Sequence, residues 1–109
     1  METTYREGDL VQLVRPSSGW TILAVVGDGK YELREYPVGR SPVLQHSSGR
    51  KETPESFEGK CGLIVKVDKN HLDQPQGYRV LIGENTWFCK SIVAEKYFYL
   101  LEKKGDESR

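Results

Sequence analysis

Residues 58–67 read EGKCGLIVKV, the most strongly patterned stretch of the chain. Gly59 and Gly62 stand three apart, and an apolar run, Leu63-Ile64-Val65, begins directly after the second. Glycine tolerates left-handed dihedrals and leaves room where another strand crosses closely. A glycine pair leading into a β-rich run therefore marks a place where a short sheet bends sharply. Ile64 and Val67 are expected to be delivered from that bend into an interior.

Working outward, the chain is a succession of short β-rich runs. GDLVQLVR (residues 8–15) opens with turn residues Gly8 and Asp9 and is too short for a helix; Pro16-Ser17-Ser18-Gly19 ends it. TILAVVGDGKYELREY (21–36) is a hairpin, two runs flanking Gly27-Asp28-Gly29. That connection suits a type I turn followed by Gly29 in the left-handed region. On its second run Tyr31 and Leu33 face one side, and Lys30, Glu32 and Arg34 the other.

Residues 37–56, PVGRSPVLQHSSGRKETPES, hold three of the five prolines and read as a long loop or arm with one short edge strand around 43–45. Strands follow at 61–68, GYRVLIG (77–83), TWFCK (86–90) and YFYLL (97–101), with a polar loop at 69–76. SIVAE (91–95) suits a single 3₁₀ turn with Ser91 as its cap. Many short strands without an amphipathic helix give an all-β class, a small barrel or sandwich. Residues 1–102 form one domain, with 16–56 as an insertion (hairpin 21–36, arm 37–56) and 103–109 as a charged, disordered tail. The hairpin and the stretch 61–82 share a strand–turn–strand plan, so two packed half-barrels are the alternative to one barrel with an insertion.

Composition limits function more than it assigns it. Sixteen basic and sixteen acidic side chains cancel, which leaves no overall footprint for nucleic acid or an anionic membrane. One local exception is 36–51, where Arg40, Arg50 and Lys51 occur without an acid. The N-terminal Met1-Glu2-Thr3-Thr4 lacks the basic and apolar regions of a secretion signal, and no run approaches a membrane span. Cys61 and Cys89 form neither a disulfide framework nor a CxxC site and are expected to be buried thiols. His46 and His71 have no second ligand at metal spacing, and neither a phosphate-binding loop nor a nucleophile–base pair is present, so catalytic, metal and cofactor sites are all expected to be absent.

Recognition must then come from surface groups. Eleven aromatics are generous for a thin core, so some rings should lie outside it, where Tyr and Trp anchor partners. Trp20 and Trp87 are expected to be one buried and one exposed ring. Together with Tyr36, Arg40, Arg50 and Lys51 they form the candidate partner-binding set, and Gly8, Gly29, Gly59 and Gly62 the structural glycines.

The order GDLVQLV, EGKCGLIVKV, GYRVLI, TWFCK, SIVAE, YFYLLE resembles a Src-homology-3-like barrel, and its glycine-led second strand is similar to the KOW element of ribosomal and elongation factors. Small virion-associated proteins of tailed bacteriophages share this plan. The likeness covers 5–15 and 57–102, and the segment of about forty residues between the first two barrel strands departs from it. It implies a non-enzymatic structural or adaptor protein that contacts other proteins of an assembly, in a virion or the host cytoplasm. The alternative it implies is a KOW-type nucleic-acid or transcription-complex binding module, in which basic residues and rings such as Tyr36, Trp20 and Tyr78 would grip the strand.

Overall fold

A computed structural model describes residues 5–15, 19–27, 29–39, 43–45, 49, 51–52 and 54–102. Its strands are β1 (Leu10–Leu13), β2 (Trp20–Gly27), β3 (Lys30–Pro37), β4 (Leu44–Gln45), β5 (Lys51–Glu52), β6 (Glu55–Ser56), β7 (Cys61–Lys69), β8 (Pro75–Ile82), β9 (Asn85–Lys90) and β10 (Phe98–Glu102). One helix, α1 (Ser91–Tyr97), lies between β9 and β10. Eight strands form a single curled sheet, a half-barrel, in the order β10-β1-β7-β8-β9-β3-β2-β6, while β4 and β5 pair separately. The fold is all-β and compatible with a small barrel, as the run of short strands implies.

The 58–67 stretch works through two separate devices. Gly59 has φ +85, sits in the turn entering β7, and donates its N–H to the Leu13 carbonyl at 2.6 Å. Only glycine holds that dihedral without strain. Gly62 lies inside β7 with no positive φ; a Cβ there would stand 2.5 Å from Val80 Cγ1 and 2.8 Å from Ile82 Cγ1. The expected close approach of another strand is made by β8, through two side chains over the glycine and the Leu81 carbonyl oxygen at 3.2 Å from such a Cβ. β7 is then kinked by a bulge between Ile64 and Lys66. Ile64 is fully buried, and Val67 packs against the core from its edge. At the other end of the β1 pairing, Gly8 (φ +92) donates to the Ile64 carbonyl at 2.7 Å.

The insertion hairpin belongs to the sheet. β3 joins β9 in parallel through Glu32↔Phe88 and Leu33↔Cys89, and Ile22, Ala24 and Leu33 enter the same core as Val11, Ile64 and Val80. The Tyr97 hydroxyl donates to Glu35 Oε2 at 2.9 Å, tying α1 to β3. At the far end Tyr5, Tyr78 and Phe98 form a ring cluster with centroids 5.5 to 6.4 Å apart, and the Tyr5 hydroxyl donates to the Phe98 carbonyl at 2.9 Å.

Several expectations need correction. Gly27 pairs with Lys30, so two residues rather than three link the hairpin strands, with Gly29 at φ +76. The SIVAE segment opens a seven-residue α-helix, Ser91–Tyr97, not one 3₁₀ turn, and its N-cap is Lys90, not Ser91, with no side-chain cap bond. Burial of Ala94 and Tyr97 on one face of α1 supplies the tertiary packing that extends it. The arm holds β4, β5 and β6, and β6 pairs with β2 through Leu23↔Ser56 and Ala24↔Glu55. The tail 103–109 lies outside the described residues.

Candidate functional site

Strand alternation sorts the sheet into a core face and an outer face. On the outer face Leu10 of β1 stands opposite Leu63 of β7, and Leu63 opposite Leu81 of β8. Leu63 and Leu81 remain 38% and 37% exposed and Leu10 is half-buried, so the three leucines form an apolar row across that face. At the edge of the sheet β10 leaves Tyr99, Leu100 and Leu101 exposed; Tyr99, opposite Gln12, lies on the outer face, whereas Leu100, opposite the buried Val11, lies on the core side. The irregularity between Leu10 and Val11 offsets the β10 register there, so that Leu10 faces Glu102 while Val11 faces Leu100. The other side of β10 has no neighbouring strand among the described residues. The opposite sheet edge, β6, is different in kind, being two polar residues long, Glu55-Ser56. Short, charged edges resist strand addition, whereas a longer apolar edge invites it.

A second feature follows the β3–β9 seam. Two residue pairs join these strands, and an open groove of about 970 Å³ is lined by residues of both. Phe88, Ile92 and Val93 supply its apolar lining, and Lys30, Arg34, Arg79 and Lys90 its cations. Glu32 Oε1 accepts from Arg34 at 3.0 and 3.1 Å, and Asp68 Oδ2 from Arg79 at 3.0 Å. The Phe88 ring lies against Gly77, where a Cβ would come within 2.4 Å of it, and the Arg79 guanidinium sits 5.9 Å from the ring centroid.

Of the residues singled out from sequence for partner binding, the described ones are Trp20, Tyr36, Lys51 and Trp87. Trp20 is 45% exposed at the start of β2, and Tyr36 is half-buried on the opposite face of the hairpin, beside Thr21. Trp87 is only 5% exposed and packs edge-on against Tyr31 and Phe57, so it presents no open ring to a partner. Its Nε1–H, buried there, has no hydrogen-bond partner among the described residues. Lys51 is exposed in β5, and Arg40 and Arg50 lie outside the described residues. Tyr78, a ring the nucleic-acid alternative would use, is 1% exposed and stacks on nothing outside the core.

Interior electrostatics are those of a packed core. Burial pushes the Tyr5 phenol up to about 12, with neighbouring Tyr78 and nearby acids adding to the effect. Burial also raises Tyr78 and Tyr97, the latter helped by its bond to Glu35, and raises the thiol of fully buried Cys89. Cys61, expected to be buried, is exposed instead, because alternation along β7 turns it to the outer face beside Gln12. Glu58 is held below the usual carboxylate range by Arg15, at 2.8 Å, and by the Thr21 hydroxyl. Among the described residues no group of three His, Cys, Asp or Glu side chains could hold a metal ion, and no helix is long and apolar enough to cross a membrane.

The chain matches no family model, no curated protein and no solved structure. No relative therefore supports the likeness to Src-homology-3-like or phage proteins, and the site rests on the geometry of this chain alone.

Proposed function

We propose that this protein is a non-enzymatic structural or adaptor module that docks neighbouring proteins of an assembly through the β10 edge and the adjoining leucine row. The observation that carries the reading is the edge strand β10, which has no second strand neighbour among the described residues and leaves Tyr99, Leu100 and Leu101 exposed, with Leu63 and Leu81 exposed on the outer face nearby. An extended segment of a partner can add to such an edge by main-chain hydrogen bonds, with Tyr99 as the aromatic anchor. The order β10-β1-β7-β8-β9, with α1 before β10, supports a Src-homology-3-like plan to which β3, β2 and β6 are added at the β9 side. Within that plan, the assembly we favour is the particle of a tailed bacteriophage, as the sequence likeness implies.

The test is quantitative mass spectrometry of particles purified from the source, comparing wild type with Leu63→Lys/Leu101→Lys, two exposed positions. Wild type is expected at a fixed copy number and the double variant absent from particles while still folded. A wild-type protein found only free in the cytoplasm, or a variant incorporated normally, contradicts the reading. Salt-sensitive binding of mixed oligonucleotides by the free protein would favour the nucleic-acid alternative instead.

A further inference from the structure

The β3–β9 groove lies beyond the leucine row and carries a charge surplus of its own. Its acids are already engaged: Glu32 with Arg34 at 3.0 Å, Glu35 with the Tyr97 hydroxyl at 2.9 Å and Lys96 at 3.5 Å. Arg79 is likewise held by Asp68 at 3.0 Å. Lys30 and Lys90 are both exposed, and neither takes part in the ion pairs found among the described residues. They flank a lining of Phe88, Val93 and Ile92, the last of which is 63% exposed. Among the described residues the groove thus pairs cations without an acid partner with apolar side chains.

We propose that this groove binds an extended acidic segment of a partner protein, one that alternates carboxylate and aliphatic side chains. An extended chain turns successive side chains to opposite sides. The aliphatic set would then meet Phe88, Ile92 and Val93 while the carboxylates reach Lys30 and Lys90. Strand β9 has six residues, about 20 Å of extended chain, which gives the segment a comparable length. Single-stranded nucleic acid fits the groove less well, because bases need free aromatic faces to stack upon. Of the two rings that line it, Phe88 is pressed onto Gly77 with the Arg79 guanidinium 5.9 Å from its centroid, and Tyr31 is packed edge to face with Trp87. This site is separate from the β10 surface, so its failure would leave the assembly reading standing.

The experiment is a titration of the full chain, followed by backbone amide shifts, with a short acetylated peptide alternating glutamate and valine. A glutamine-for-glutamate peptide and an oligothymidylate serve as comparisons. The glutamate peptide is expected to shift Lys30, Glu32, Phe88 and Lys90 and to bind more weakly as salt rises. Lys30→Glu/Lys90→Glu should weaken it about tenfold or more, and Ile92→Ser should weaken it without changing the salt dependence. Both variants alter exposed positions, and an unchanged amide spectrum elsewhere verifies their fold. Absence of shifts in the groove, equal binding of the glutamine peptide, or tighter binding of oligothymidylate to the same amides overturns the proposal.

Discussion

Replacing Gly62 by alanine isolates the packing half of the bend from its dihedral half. The added Cβ would stand 2.5 Å from Val80 Cγ1, 2.8 Å from Ile82 Cγ1 and 3.2 Å from the Leu81 carbonyl oxygen. Both side chains are buried, so relief requires movement of packed core, which costs about 1–3 kcal/mol. Loss of unfolded-state freedom returns about 0.4–1 kcal/mol, leaving a net destabilisation of about 1–2 kcal/mol. Gly59→Ala should lose about 1–2 kcal/mol for a different reason, its left-handed φ of +85 with no atom near the added Cβ. Val80→Ala separates the two, because it removes the nearer clashing methyl. In that background the cost of Gly62→Ala should shrink by about 1 kcal/mol or more, while the cost of Gly59→Ala stays unchanged. Urea unfolding followed by tryptophan fluorescence reads each value, about 1 M in midpoint for the larger effects. A neutral or stabilising Gly62→Ala, or coupling of Val80 to Gly59 instead of Gly62, would refute the division of labour.

Further predictions concern the interior and its ties. Trp87→Phe should cost less than burial of so large a ring suggests, because it removes an indole N–H that lacks a partner; a loss in urea unfolding above about 4 kcal/mol would contradict this. Tyr5, Tyr78 and Tyr97 should ionise later than free tyrosine in an absorbance titration at alkaline pH. Tyr5 has a raised folded value, so its contribution to stability is complete below the unfolded value of 10.0 and is lost as pH rises through about 12. Glu58 has a depressed one, so its contribution is present above the ordinary value of 4.5 and disappears as pH falls below it; Glu58→Gln should flatten that acid limb of the stability curve. A thiol reagent should modify Cys61 in the native protein and Cys89 only after denaturation, and rapid reaction of both would contradict the packing of β9.

The local elements were legible because each is specified by neighbours in sequence. Alternation in KYELREYP gave β3 its faces, and the glycines at 29 and 59 mark positive φ where the chain turns. What sequence missed is non-local. Nothing near residue 33 signals that β3 will run parallel to β9, a pairing that spans more than fifty residues, so the groove and its cations stayed hidden. The same seam explains why the hairpin belongs to the sheet rather than to a projecting arm. Phe88 could have been flagged: it stands between the two inward residues Trp87 and Cys89 and must face outward. The continuous run Phe98 to Leu101 hid the opposite lesson, since only its first residue reaches the core. The two tryptophans divide as expected, Trp87 buried and Trp20 45% exposed, whereas Tyr99, which no sequence signal singled out, is 60% exposed.

The measurement that bears most directly on the account is the set of cross-strand proton contacts between β3 and β9 in solution, read together with amide exchange. Contacts joining Glu32 with Phe88 and Leu33 with Cys89, with slow exchange along that seam, are the predicted result. A hairpin 20–37 whose amides exchange freely and show no contact to 85–90 would separate the insertion from the sheet and remove the groove with it.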